Sequence, residues 1–182
     1  MNALIIVDMQ VGCFAGEPPR RDADRVVERI NALAAAFRNA NDLVIHIRHT
    51  DPDDGYAPDS PGWQFLSSMQ VEDGDEIVEK SACDAFLETR LKDLLDGKGI
   101  TEVVIVGCAT DFCVDTTVRA AGAHGYRVTV ASDAHTTRDR PHLDAVGIIA
   151  HHHFMWNDLI LPRGARIHIV PTETILDALL QH

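Results

Sequence analysis

The sequence predicts a single-domain, three-layer α/β/α fold around a six-stranded, mostly parallel, Rossmann-like sheet. Two observations predict it. Short β-branched apolar segments recur along the chain, separated by longer segments of helical period. The short segments are apolar almost throughout, without alternation, as expected of strands covered by helices on both faces. Such an order implies parallel neighbours joined by right-handed crossovers.

Leu4–Val7 opens the sheet, and Asp22–Asn41 follows with a helical stripe of Val26, Val27, Ile30, Leu33, Ala34 and Phe37. Leu43–Ile47 is the second strand. The stretch from His49 to Gly74 holds Pro52, Gly55, Pro58, Pro61 and Gly62 and reads as a long loop forming a lid or pocket wall. Ile77–Val78 is a short strand. Phe86–Leu95 reads as a helix ended by Gly97 and Gly99. Val103–Val106 is a strand, Cys113–His124 a helix, Val128–Val130 a strand and His142–Trp156 a helix. Ile167–Val170 and a helix over Thr172–Leu180, with Thr172 as its N-cap, close one domain over residues 1–182.

Composition narrows the function classes. Sixteen Lys and Arg against 28 Asp and Glu give a net charge of −12, which argues against nucleic acid as a partner. No apolar run reaches the ~20 residues that span a bilayer. Asp8 interrupts the first apolar run and no basic segment precedes it, so the start reads as a buried strand, not a signal peptide. Cys13, Cys83, Cys108 and Cys113 form no CxxC pair; free thiols in the cytoplasm are expected.

Ligands of an open α/β sheet bind outside the carboxyl ends of its strands. Asp8 ends the first strand, Lys80 the third, and the fourth runs into Gly107-Cys108-Ala109-Thr110-Asp111-Phe112-Cys113, where a helix starts. An acid, a base and a thiol thus reach one sheet edge from three segments. A helix N-terminus and a nearby Lys80 favour the thiolate of Cys113. Asp8 is a proton acceptor, and helix-start N–H groups suit an oxyanion. Acyl transfer to water through a thioester is the implied chemistry, with an inert core cysteine as the alternative for Cys113.

At these residues the sequence resembles the isochorismatase-like superfamily of cysteine hydrolases. The matching pieces are Leu4-Ile5-Ile6-Val7-Asp8-Met9-Gln10, Lys80-Ser81-Ala82-Cys83-Asp84-Ala85-Phe86 and, most specifically, Val106 through Thr117, followed by Ala120-Ala121, Gly125-Tyr126-Arg127-Val128 and Ser132-Asp133-Ala134. The resemblance implies an Asp8–Lys80–Cys113 triad, a cis peptide between Cys108 and Ala109, and an oxyanion hole from the N–H groups of Ala109 and Cys113. It places Phe14, Trp63, Gln64 and Phe112 at the substrate and implies a homo-oligomer, dimer or tetramer. Retention of Cys113 points to C–N cleavage in a small amide, carbamoyl or ureido compound. The alternatives are vinyl ether hydrolysis without the cysteine and a thiol sensor or binding protein on the same scaffold.

Nicotinamidases of this superfamily carry an Asp-x-His metal motif after the second strand. Here Asp51 is followed two positions on by Asp53, so neither a metal nor another cofactor is expected. Pro61-Gly62-Trp63-Gln64 is similar to the metal-independent branch. His151, His152 and His153 point to different faces of a helix, which favours packing or a subunit interface over metal binding. Asp51, Asp53 and Asp54 read as a solvated loop.

Overall fold

A computed structural model describes residues 2–180. Its six strands are β1 (Ala3–Val7), β2 (Leu43–His49), β3 (Glu76–Lys80), β4 (Glu102–Cys108), β5 (Arg127–Thr136) and β6 (Ile167–Val170). They form one sheet in the order β3-β2-β1-β4-β5-β6. Every pairing is parallel. The chain winds outward from β1 in one direction and from β4 in the other. Their shared boundary is therefore the switch point, where a crevice forms at the carboxyl ends.

The helices are α1 (Val11–Phe14), α2 (Ala23–Asn39), α3 (Leu91–Gly97), α4 (Asp115–Ala123), α5 (Ala145–Asn157) and α6 (Thr172–Leu179). Strand alternation sends Leu4, Ile6, Val44 and Val106 to one face, against Val27, Ile30, Leu33 and Phe37 of α2 and Ile175 of α6. Ile5, Val7, Ile45, Ile47 and Val78 go to the other, against Leu91, Leu95, Val118 and Trp156 of α3, α4 and α5. Both faces are thus covered, which is why the strands lack alternation in the sequence.

Three helical expectations are corrected in detail. The segment before α3 is not helical: Phe86 N–H donates to Asp84 Oδ1, the Thr89 hydroxyl to Ala85 O, and Leu91 N–H to Thr89 Oγ1. These local side-chain bonds compete with the helical ladder, and Phe86 instead stacks on Tyr126. The fifth helix begins at Ala145, where Asp144 accepts from Gly147 N–H and Asp139 from Ala145 N–H. Thr172 does not cap α6. Pro171 holds that position, while the N–H and hydroxyl of Thr172 both donate to Asp133 Oδ1.

Candidate active site

Three segments converge at the carboxyl edge. Asp8 follows β1 with φ of 48°, its N–H donating to Ile47 O. This turn departs from strand geometry, so Asp8 no longer follows the alternation of β1. Lys80 ends β3 on the same side as Val78, two residues earlier. Between β4 and α4 the chain makes a widened helical turn over Thr110–Val114, in which Val114 N–H donates to Ala109 O. Cys113 lies inside that turn, half-buried against the core, and the peptide joining Cys108 to Ala109 is cis.

Lys80 Nζ lies 2.7 Å from Asp8 Oδ2 and 3.3 Å from Cys113 Sγ. Asp8 and Lys80 are 1% and 3% exposed, so neither charge is satisfied by water. Asp8 Oδ1 is buried with no hydrogen-bond partner, and the Asp8 carboxylate interacts with the Cys113 thiol. Burial works against the Lys80 ammonium, but Asp8 and Cys113 outweigh it and raise its pKa. The Cys113 thiol is pushed up, first by burial and then by the charge of Asp8, while Lys80 pulls the other way. Burial and Asp8 thus oppose the thiolate that Lys80 favours. The resting arrangement is a protonated thiol beside a Lys80–Asp8 ion pair, with an acceptor at hand for its proton.

The long loop packs back over this edge. Val11 and Gly12 N–H donate to Gln64 O and Gly62 O, and Leu66 N–H to Met9 O. Phe14 is partly buried at the core's margin. Trp63 is held from two sides, its indole N–H donating to Thr50 Oγ1 at 2.9 Å and its ring lying 3.4 Å from the Arg48 guanidinium carbon. Gln64 is exposed, tied in through its backbone. Phe112 is 52% exposed, beneath the Arg140 guanidinium, which binds both oxygens of Asp111. A cleft of about 370 Å³ opens beside Phe112, lined by residues including Asp111, Arg140 and His152. A cavity of about 910 Å³ lies among Asn2, Asp42 and Leu179 at the opposite end of the sheet, and no cysteine lines it.

The other motifs resolve into structure. Asp51 Oδ1 accepts from Asp53 N–H, making the acidic loop a capped turn. His153 bonds His135, and His152 Nδ1 meets Ile148 O. Among the described residues, no group of three or more His, Cys, Asp or Glu is placed to hold a metal ion. All four cysteines are free. Cys108 is fully buried and interacts with the thiol of Cys13, which in turn accepts a bond from the Tyr56 hydroxyl at 3.5 Å.

Sequence reasoning missed His49, Tyr56 and the task of Gln10. The buried Gln10 amide donates to His49 O and Trp63 O, and its oxygen accepts from His49 N–H. One side chain thereby ties the end of β2 to Trp63 of the long loop. The spacing Ile45-Ile47-His49 carried a usable signal, because it sets an imidazole on an otherwise apolar strand face.

An all-parallel sheet thus brings an acid, an ammonium and a thiol together at its carboxyl edge. The Isochorismatase domain model matches residues 2–154, and the chain belongs to the isochorismatase family. It is 35% identical over 142 residues to a streptothricin hydrolase of Streptomyces noursei, covering 78% of this chain and 56% of that one. The chain thus spans about half the length of the streptothricin hydrolases it matches. It is 29% identical over 172 residues to the ureidoacrylate amidohydrolase of Klebsiella pneumoniae, covering 73% and 72% of the two chains. A solved structure of an isochorismatase-family hydrolase from Chromobacterium violaceum superposes with a TM-score of 0.87 at 28% identity, covering 100% of this chain and 94% of the other. No helix among the described residues is long and apolar enough to cross a membrane.

Proposed function

We propose that this chain hydrolyses the C–N bond of a small amide, carbamoyl or ureido compound through a thioester on Cys113. The observation that carries the reading is the buried Lys80 ammonium in contact with both Asp8 and Cys113. As Sγ attacks the carbonyl carbon, Asp8 takes the thiol proton and Lys80 balances the charges. The carbonyl oxygen becomes an oxyanion that accepts from the N–H groups of Ala109 and Cys113. Asp8 then protonates the leaving nitrogen, the C–N bond breaks and the amine departs. Water attacks the thioester, Asp8 accepts its proton, and the acid leaves as the proton returns to sulfur. No cofactor is required. Phe14, Trp63, Gln64 and Phe112 form the substrate walls.

The relatives support this chemistry, since one is a hydrolase of streptothricin and another an amidohydrolase of ureidoacrylate. A free thiol nucleophile suits a reducing compartment such as the cytoplasm, and a homodimer or homotetramer is the expected assembly. The test is a screen of small amides, ureas and carbamates for ammonia release, with Cys113→Ala as the blank. Release by the parent and none by Cys113→Ala supports the reading. Turnover that survives Cys113→Ala overturns it in favour of hydrolysis without the thiol.

A further inference from the structure

His49 ends β2, and its register partner on β3 is Lys80. Paired residues of a parallel ladder stand on the same face, about 4.8 Å apart. On β2 that face carries Ile45 and Ile47, and on β3 Val78, all in the core that Cys113 borders. His49 and Lys80 therefore leave neighbouring strands on the same face, the nucleophile's side of the sheet. Its backbone is clamped at both polar groups by Gln10, with His49 N–H donating at 2.7 Å and its carbonyl accepting at 2.9 Å. Its ring meets Tyr56 edge-on, centroids 5.2 Å apart. Nδ1, however, is buried with no hydrogen-bond partner.

A buried nitrogen without a partner is costly, and so rigid a mount for an unsatisfied ring is otherwise unexplained. We propose that His49 contacts the substrate, accepting a hydrogen bond from the scissile N–H of an amide held at Cys113 and so selecting N–H-bearing carbonyl compounds. The inference rests on Cys113 being the nucleophile. Burial and the adjacent Lys80 lower the His49 pKa against the opposing charges of Asp8, Asp51 and Asp54. The ring is thus uncharged at neutral pH and keeps one acceptor nitrogen. The carbonyl oxygen of the same amide is left to the Ala109 and Cys113 N–H groups.

The experiment compares two thiol reagents, iodoacetamide, which carries a carboxamide, and methyl methanethiosulfonate, which carries none. Modification of Cys113 is followed by mass spectrometry as a function of reagent concentration. His49→Phe keeps an aromatic ring against Tyr56 and removes both nitrogens, His49→Leu is the second apolar variant, and His49→Gln restores an acceptor. The expected result is that both apolar variants raise the half-saturating iodoacetamide concentration about tenfold, the worth of one hydrogen bond. His49→Gln should recover most of that loss, and reaction with the thiosulfonate should be unchanged throughout. Parent-like alkylation by iodoacetamide in the apolar variants overturns the proposal, as does equal slowing with both reagents, which would mark a structural role. Failure of the parent Cys113 to react with either reagent overturns the nucleophile assignment itself, and this inference with it.

Discussion

Asp8 and Lys80 form an ion pair of 2.7 Å between groups that water hardly reaches. A buried pair is weak support for stability, but breaking it by removing one member strands a charge, at a cost of about 3–5 kcal/mol. Asp8→Asn and Lys80→Met are each expected to lose that much in urea denaturation. The double variant should lose less than the sum, because it leaves no uncompensated charge. Additive losses would mean that the two groups do not rely on each other.

The same pair governs the thiol. Asp8 raises the Cys113 pKa and Lys80 lowers it, so Asp8→Asn removes a cause that keeps the proton on sulfur. At pH 7, alkylation of Cys113 by iodoacetamide is expected to be faster in Asp8→Asn than in the parent, while amide turnover falls by at least about 100-fold for want of a proton acceptor. Opposite movement of reactivity and catalysis is the signature. A variant that loses both together would show that Asp8 only holds the site in shape.

Gly107 stands where β4 passes β1, with φ of +122°. A Cβ there would run into the carbonyl oxygen of Val7 and lie 2.7 Å from its nitrogen. These are backbone atoms that cannot rotate aside, and the backbone conformation alone disfavours an L side chain by more than about 1 kcal/mol. Gly107→Ala is expected to lower the melting temperature by at least about 5 °C and to displace the turn that carries Cys108 and Ala109. An unchanged melting temperature would mean that β1 and β4 can separate locally without loss.

Legibility in the sequence followed the range of the interactions. β1, β2, β4 and β5 were readable because burial on both faces leaves near-continuous apolar runs, whereas β3 and β6, at the sheet's edges, showed only as short apolar pieces. Asp8, Lys80 and Cys113 were readable because strand ends of such a sheet lie at one edge. Local bonds were not: Thr89 and Asp84 divert the chain before α3 through side-chain oxygens that periodicity does not register. Thr172 has the residue type of a cap, yet its bonds run to Asp133, 39 residues away. The upward push on the Cys113 thiol was not legible, because it depends first on burial and then on the nearby Asp8. His49 left only the trace of an imidazole on an apolar strand face, and its place opposite Lys80 comes from the register of β2 on β3.

His135 carries the last prediction. It is buried within β5, with Nδ1 2.8 Å from Thr110 Oγ1, Nε2 2.9 Å from His153 Nε2 and its ring edge-on to Trp156. Burial, followed by the charges His153 and His152 would carry, lowers its pKa to about 3. In the unfolded chain the group titrates near 6.5. Between those values the unfolded state holds the extra proton, so stability is fully present above about pH 6.5 and declines as pH falls toward 3. The slope from this one group is about 1.4 kcal/mol per pH unit. Urea denaturation at pH 7, 6 and 5 should show the decline in the parent. His135→Gln should start from a lower stability at pH 7, having disturbed the bond to Thr110, but should decline less steeply by that one proton. Parallel slopes in the two proteins would show that the acid sensitivity arises elsewhere and that His135 accepts its proton while folded.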